Sequence, residues 1–187
     1  MKKFVLIFII IFSFNLYSQN IDDKPIKINK NYFTDDGNLK EKADLKINII
    51  RKMRFKDNSA YEMIILKNKY WYYYSLFQIE KNNQYKYIGN ISLNTAIFNI
   101  DGLTANVVYK DDYFTLEHHI RNNRKLYITF KYNDDKKIYL YKISMLEISN
   151  IENETYTNQY NGNVIQNKIL YKDVTMDTIY KSLNIEL

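Results

Sequence analysis

Apolar and polar residues alternate along much of the chain after residue 44. Ile47 and Ile49, for example, alternate with the polar residues Lys46 and Asn48. Because successive side chains of a β-strand point to opposite faces, this period of two predicts strands that bury one face. Alternation, or a short apolar run between turn residues, predicts strands near 45–49, 61–66, 70–79, 85–88, 104–109, 114–120, 126–132 and 138–143.

The block from 104 to 143 predicts an antiparallel meander. Its strands follow one another across short polar turns, such as those at 110–112 and 133–137. Each strand has one apolar and one mixed face, as in a sheet with one face against a core and the other in water. The aromatic run 70–79 is apolar at most positions, which predicts a central strand covered on both faces.

The C-terminal part of the chain has a less regular pattern. Polar residues dominate 150–163, which predicts a loop, and 164–171 predicts one more strand. Thr175 is a favourable N-cap for a short terminal helix. The buried face of that helix is expected to contain Met176, Ile179, Tyr180 and Leu183.

The first 18 residues have the order of a secretory signal peptide. A basic Met-Lys-Lys start precedes an apolar run, and the segment ends on the small residue Ser18. The apolar run has about 11 residues, whereas a helix that spans a bilayer needs roughly 20. We therefore expect cleavage before Gln19 and no stable membrane anchor afterwards. The mature protein would then act in the periplasm or outside the cell.

Three regions follow from these patterns. Residues 1–18 are the predicted signal peptide, and the polar segment 19–43 is a predicted flexible lead-in with one short strand around Tyr32 and Phe33. Residues 44–187 are predicted to form a single β-rich domain. Its expected fold is mainly β, with antiparallel meander sheets in a sandwich- or blade-like arrangement and a short C-terminal helix.

Composition narrows the classes of function. The chain has no Cys, which excludes disulfides, thiolate metal sites, Cys nucleophiles and a lipid anchor on Cys. The net charge of +6 comes from Lys and Arg interleaved with Asp and Glu, so we expect no nucleic-acid partner. The 19 Tyr have two interpretations. They could form a recognition surface for a protein or glycan, or they could reflect AT-rich codons and the preference of Tyr for strands.

Candidate chemistry is concentrated near the two His, which are adjacent in the chain. His118 and His119 should point to opposite faces of one strand, so they cannot share a metal ion. His118 falls on the apolar face, as a core histidine would. Glu117 and His119 share the other face and are the one acid–base pair that the sequence offers. We expect no catalytic set, metal or cofactor; the candidate binding surface comprises Trp71, Tyr73, Glu117, His119 and Tyr127.

Three segments resemble a diffuse group of small exported bacterial β-sheet proteins, most of them uncharacterised. The segments are 112–117 (DYFTLE), 127–133 (YITFKYN) and 139–143 (YLYKI), similar to the pattern YFTIE…YITFKYD…YLYKI of that group. The group also carries an early acidic DxDGxxD-like segment, which residues 35–38 (DDGN) match only loosely. The resemblance implies an exported β-sheet domain. By analogy with some of its members, it also implies an immunity or partner-binding role.

These observations favour a non-enzymatic module that binds another protein in the periplasm or at the cell surface, in an immunity-like role. Aromatic strands that present Tyr to a partner motivate this hypothesis. One alternative is a glycan or peptidoglycan binder, or a weak hydrolase, that uses surface Tyr together with Trp71 and Glu117. A structural component of the cell envelope is the other alternative.

Overall fold

The described part of the chain forms two antiparallel sheets. In the computed structural model, sheet A has the strand order β1-β2-β3-β4 and sheet B the order β5-β6-β7-β8-β9. Each sheet is therefore a meander of consecutive strands, which confirms the predicted mainly β fold. The structure describes residues 32, 44–80, 85–96, 100–120, 124–151 and 154–183, with the backbone alone at 100–104, 147–151 and 154–163.

The strands are eight to fourteen residues long. Sheet A consists of β1 (Lys46–Arg54), β2 (Ala60–Lys67), β3 (Trp71–Ile79) and β4 (Tyr85–Asn94). Sheet B consists of β5 (Ile100–Lys110), β6 (Tyr113–Ile120), β7 (Arg124–Tyr132), β8 (Ile138–Ile151) and β9 (Glu154–Val164). A 3₁₀ helix (Tyr171–Asp173) and α1 (Met176–Leu183) follow.

Tight turns between the strands use Asn, Asp and Lys where other proteins often use Gly. Asn58, Asp111 and Lys136 have φ values of 67°, 57° and 59°. Asn and Asp tolerate this left-handed region because their short polar side chains bond the local backbone. In the β1–β2 turn, for example, Oδ1 of Asp57 accepts a hydrogen bond of 2.8 Å from the Ser59 amide. A chain with four Gly thereby still makes sharp hairpins.

The inner faces of the two sheets pack against each other. Rings join them at one end, where Phe55 stacks on Tyr132 at 4.6 Å between centroids. The Tyr132 hydroxyl donates to Oδ2 of Asp57 at 2.8 Å, which ties sheet B to the β1–β2 turn. Alternation along the strands places apolar side chains inside at every second position. This core includes Met63, Ile65, Tyr74, Leu76 and Ile91 from sheet A, and Leu116, Leu126, Ile128, Phe130 and Ile143 from sheet B.

The 3₁₀ helix fills one side of this core. Tyr171 is buried, and its hydroxyl donates to the backbone oxygen of Tyr74 at 2.9 Å. The helix approaches β4 at Gly89, where an added Cβ would lie 2.7 Å from Cβ and 2.8 Å from Cα of Lys172. Any side chain at Gly89 would therefore push the segment away from the sheet.

The short terminal helix begins as the sequence predicts. The Thr178 amide donates to Oγ1 of Thr175 at 3.2 Å, so Thr175 is the N-cap of α1. Ile179 and Tyr180 are buried. The partly buried Met176 and Leu183 pack on the same core, which confirms the predicted apolar face. No helix in the described ranges is long and apolar enough to cross a membrane.

Two predictions for the region after 144 were wrong. Residues 150–151 belong to the end of β8 and residues 154–163 to β9 instead of a loop, and 164–171 is mostly irregular, with one bridge between Leu170 and Tyr139. β9 pairs along the second half of the long β8, and this backbone pairing needs no apolar run. The Thr and Tyr in its sequence also suit a strand.

The predicted signal peptide and lead-in stay predictions. Residues 1–18 lie outside the described part of the chain. So does the segment 19–43, apart from Tyr32, which lies in a bend.

Candidate binding surfaces

The outer face of sheet B brings together three of the five residues predicted for a binding surface. Glu117 on β6 lies directly opposite Tyr127 on β7, and His119 lies opposite Lys125. Nδ2 of Asn106 on β5 donates to Oε2 of Glu117 at 3.4 Å. Burial, helped by the Glu117 charge, raises the pKa of Tyr127, so its hydroxyl stays protonated at neutral pH. The result is a row of donors and acceptors across three strands.

The same face carries further polar and aromatic side chains. Thr115 and Thr129 share a hydrogen bond of 3.0 Å between their hydroxyls. Tyr113 and Tyr141 meet edge to face at 5.1 Å, and the Lys131 ammonium lies 5.6 Å from the Tyr113 ring centroid. Most of these side chains are half-buried, so the face presents ring edges and hydroxyls to solvent.

Trp71 and Tyr73, the other two predicted residues, lie on the outer face of sheet A. Their rings stack at 6.3 Å with an angle of 25° between planes. Trp71 is half-buried and Tyr73 is buried. Since the inner faces of the sheets meet, the two outer faces lie on opposite sides of the molecule. The structure therefore divides the five predicted residues between two separate surfaces.

The outer face of sheet A carries a second apolar cluster. It is distinct from the core between the sheets and extends across several strands. Its buried members are Ile64, Leu66, Tyr73 and Phe77, and Leu45, Trp71, Tyr85 and Tyr87 pack against them.

This apolar cluster reaches solvent at β1. Ile47 lies opposite Leu66, and Ile50 lies opposite Ile64. Ile47 is 50% exposed and Ile50 is 44% exposed. Sequence alternation alone would place Ile47 and Ile49 on one face, but a β-bulge between them breaks the alternation. Ile49 packs inward on the core, while Ile47 stays on the outer face.

β1 is also the most basic strand of sheet A. It carries Lys46, Arg51, Lys52 and Arg54, and no Asp or Glu lies between residues 45 and 56. Lys46, Arg51 and Arg54 are exposed, and Lys52 is half-buried. The sequence contained this signal, but the general mixture of charges along the chain obscured it.

Glu62 is a buried carboxylate on the outer face of sheet A. It lies on β2 between Lys52 of β1 and Phe77 of β3, and its exposure is 0%. Neither oxygen accepts a well-aligned hydrogen bond within the described residues, although the Tyr85 hydroxyl is close enough to act on its pKa. Burial raises the pKa of Glu62 to about 7, against the opposing effects of Lys52 and Tyr85.

His118 lies in the core between the sheets, as its position on an apolar face predicts. Its exposure is 0%, and Nε2 is hydrogen-bonded to the Tyr74 hydroxyl from sheet A. The Tyr72 and Tyr74 rings meet the imidazole edge to face at 5.4 and 5.3 Å. Burial, with a smaller effect of His119, lowers the pKa of His118 to about 3. A neutral histidine sealed in this way ties one sheet to the other.

Two findings bear on the chemistry of these surfaces. Among the described residues, no group of three or more His, Cys, Asp or Glu could hold a metal ion. Comparisons of the chain with protein-family models, curated proteins and solved structures returned no match. The two outer faces themselves are therefore the guide to function.

Proposed function

We propose that this protein is an exported, non-enzymatic module that binds another protein in the periplasm or at the cell surface. The observation that supports this proposal best is the apolar outer face of sheet A, which reaches solvent through Ile47 and Ile50. Contiguous exposed apolar patches larger than a few hundred Å² are uncommon on monomeric proteins, and such patches often mark interaction sites.

The aromatic side chains beside this surface suit a protein interface. Trp71 is half-buried and stacked on Tyr73, so it is held in one orientation before a partner arrives. Rigid Trp and Tyr side chains contribute much of the affinity in protein complexes because they lose little conformational freedom on binding. The exposed Lys and Arg of β1 would form the polar rim of such an interface.

The proposal is tested with the segment 19–187 as bait in an envelope extract. The unmodified bait is compared with an Ile47→Asp/Ile50→Asp variant and with a Val108→Asp control. Val108 is 46% exposed on β5 of sheet B, so the control adds one Asp, against two in the double variant, at a similar exposure. We expect a protein that the unmodified bait and the control recover and the double variant does not. Recovery by all three baits, or by none, would contradict the proposal.

A glycan-binding function is favoured by a different observation, the outer face of sheet B. Half-buried Tyr rings there lie beside hydroxyl and carboxylate groups. The rings could stack on a sugar, and the polar groups could hydrogen-bond its hydroxyls. Co-sedimentation with purified peptidoglycan tests this function. Binding should be lost on Tyr127→Ala and retained on Tyr70→Ala, which removes an exposed ring from the β2–β3 turn of sheet A. Absence of co-sedimentation would remove this alternative.

A further inference from the structure

The free side of β1 is an edge without a paired strand in the described part of the chain, although β5 of sheet B approaches β1. β1 pairs with β2 and with no other described strand. An edge strand presents unpaired backbone N–H and C=O groups, which can pair with another extended segment. At the other edge of sheet A, β4 is approached by the C-terminal segment, which contacts it at Gly89.

The charges along β1 indicate which segment would fit. The charged groups of Lys46, Arg51 and Arg54 form no ion pair within the described residues. Lys56, just after the strand, is already engaged by Asp112 at 3.3 Å. Charges of one sign on an interface select a partner of the opposite sign and accelerate its association.

Basic side chains on an edge strand have a common protective role, because a charge discourages pairing with other sheets. That role alone does not account for β1. Ile47 and Ile50 lie half-exposed among the basic residues, on the side that continues into the apolar cluster. A strand protected against pairing would be expected to carry polar residues at those two positions as well.

We propose that the unpaired edge of β1 binds an extended acidic segment of the protein partner by strand addition. Backbone hydrogen bonds to β1 would supply affinity. Carboxylates on one face of the added strand would meet Lys46 and Arg51, and apolar side chains on its other face would meet Ile47 and Ile50, which would supply selectivity. This inference rests on the proposed function and names the chemistry of the partner.

The first test uses fluorescein-labelled peptides of about ten residues, the usual upper length of a strand. The acidic probe alternates Val and Glu, and a basic control alternates Val and Lys. A third peptide repeats the acidic probe with N-methyl groups on the amides that would face β1. Anisotropy titrations with residues 19–187 should show binding of the acidic probe alone, weakened by added salt. Amide hydrogen exchange across residues 46–54 should slow when it binds.

The second test changes the charge of the strand. Lys46→Glu/Arg51→Glu, at two exposed positions on one face of β1, should weaken binding of the acidic probe by about tenfold or more. The matched control is Lys86→Glu/Lys137→Glu, which makes the same change of charge at two exposed positions away from β1 and should shift affinity by less than about twofold. Circular dichroism and thermal unfolding establish that both variants are folded.

Three results would overturn the inference. They are no binding of the acidic probe, equal binding of its N-methylated form, or equal weakening by both charge-changing variants. The bait experiment separates this inference from the proposed function. A partner that depends on Ile47 and Ile50 without any binding of acidic probes would retain the proposed function and reject strand addition. Binding of the probe with no partner recovered would reject the proposed function alone.

Discussion

His118 and Glu62 show how differently two faces of this fold treat a buried polar group. Both side chains have an exposure of 0%, and both lie in strands. His118 lies between the sheets and is hydrogen-bonded to Tyr74. Glu62 lies on the outer face of sheet A, with no well-aligned hydrogen bond to either oxygen in the described part of the chain. The imidazole of His118 has a hydrogen-bond partner, whereas burial makes the charged form of Glu62 unfavourable.

The two pKa shifts translate this contrast into opposite pH dependences. The pKa of His118 is about 3 in the folded protein, below its ordinary value of 6.5, so the unfolded chain binds more protons and stability falls as the pH drops from 6.5 to about 3. The pKa of Glu62 is about 7, above its ordinary value of 4.5. The folded chain binds more protons in that interval, so stability falls as the pH rises from 4.5 to about 7.

The largest expected effect comes from removing the inner group. His118→Ala should lower the free energy of unfolding by about 3 kcal/mol or more, because it leaves a cavity and removes the partner of the Tyr74 hydroxyl. Urea unfolding at pH 7.5 measures it. His119→Ala is the matched control, since the exposed neighbour should change stability by less than about 0.5 kcal/mol. Equal losses of stability in the two variants would show that His118 does not stabilise the packing between the sheets.

Removing the outer group should act in the opposite direction. Glu62→Met should raise the free energy of unfolding by about 1–3 kcal/mol at pH 8, because a buried carboxylate without good hydrogen bonds is replaced by an apolar side chain of similar size. Glu117→Met, at a half-exposed position in sheet B, should give no such gain. Thermal and urea unfolding measure both variants. A loss of stability in Glu62→Met would mean that the carboxylate is well solvated or paired.

A more selective change sharpens the comparison at the hydrogen bond itself. Tyr74→Phe leaves the His118 ring in place but removes its hydroxyl partner, and should lower stability by about 1–2 kcal/mol. Tyr70→Phe, at an exposed ring, is the control and should be neutral. In the His118→Ala background the Tyr74 effect should shrink, as a double-mutant cycle requires for two groups in contact. Additive losses would exclude their coupling.

The smallest expected effect is a change in slope with pH. Between pH 4.5 and 6.5 the contributions of Glu62 and His118 oppose each other in the unmodified protein. In Glu62→Met only the His118 contribution remains. Stability should then fall on acidification by on the order of 1 kcal/mol per pH unit more than in the unmodified protein. Urea unfolding at several pH values measures this. The same slope in both proteins would exclude the pKa of Glu62 as its source.

Local pattern was sufficient to predict most of the fold and the core position of His118. Period-two alternation fixes which side chains of one strand share a face, so the pairing of Glu117 with His119 on the outside followed directly. It failed at β1, where a bulge reversed the face of Ile49 relative to Ile47. It also failed at β9, where pairing with β8 outweighs a polar sequence.

Contacts between sheets could not be predicted from the same pattern. Nothing in the local sequence indicates that the chain begins a second sheet at β5. Trp71 and Glu117 were therefore assigned to one surface. The bond between Tyr74 and His118 likewise depends on how the sheets are offset. The burial of Glu62 did have a signal, because it interrupts the apolar run 61–66, which is covered on both faces.

The meander order of both sheets has a consequence for how the chain acquires its structure. Every hydrogen-bonded pair of described strands joins neighbours in sequence, so each step of sheet growth closes only a short loop. Hairpins of sheet A can therefore form before the C-terminal half has folded. The inner face of that sheet remains exposed to solvent until β6, β7 and Tyr171 pack against it. Assembly of the interior, rather than strand pairing, should thus set the folding rate.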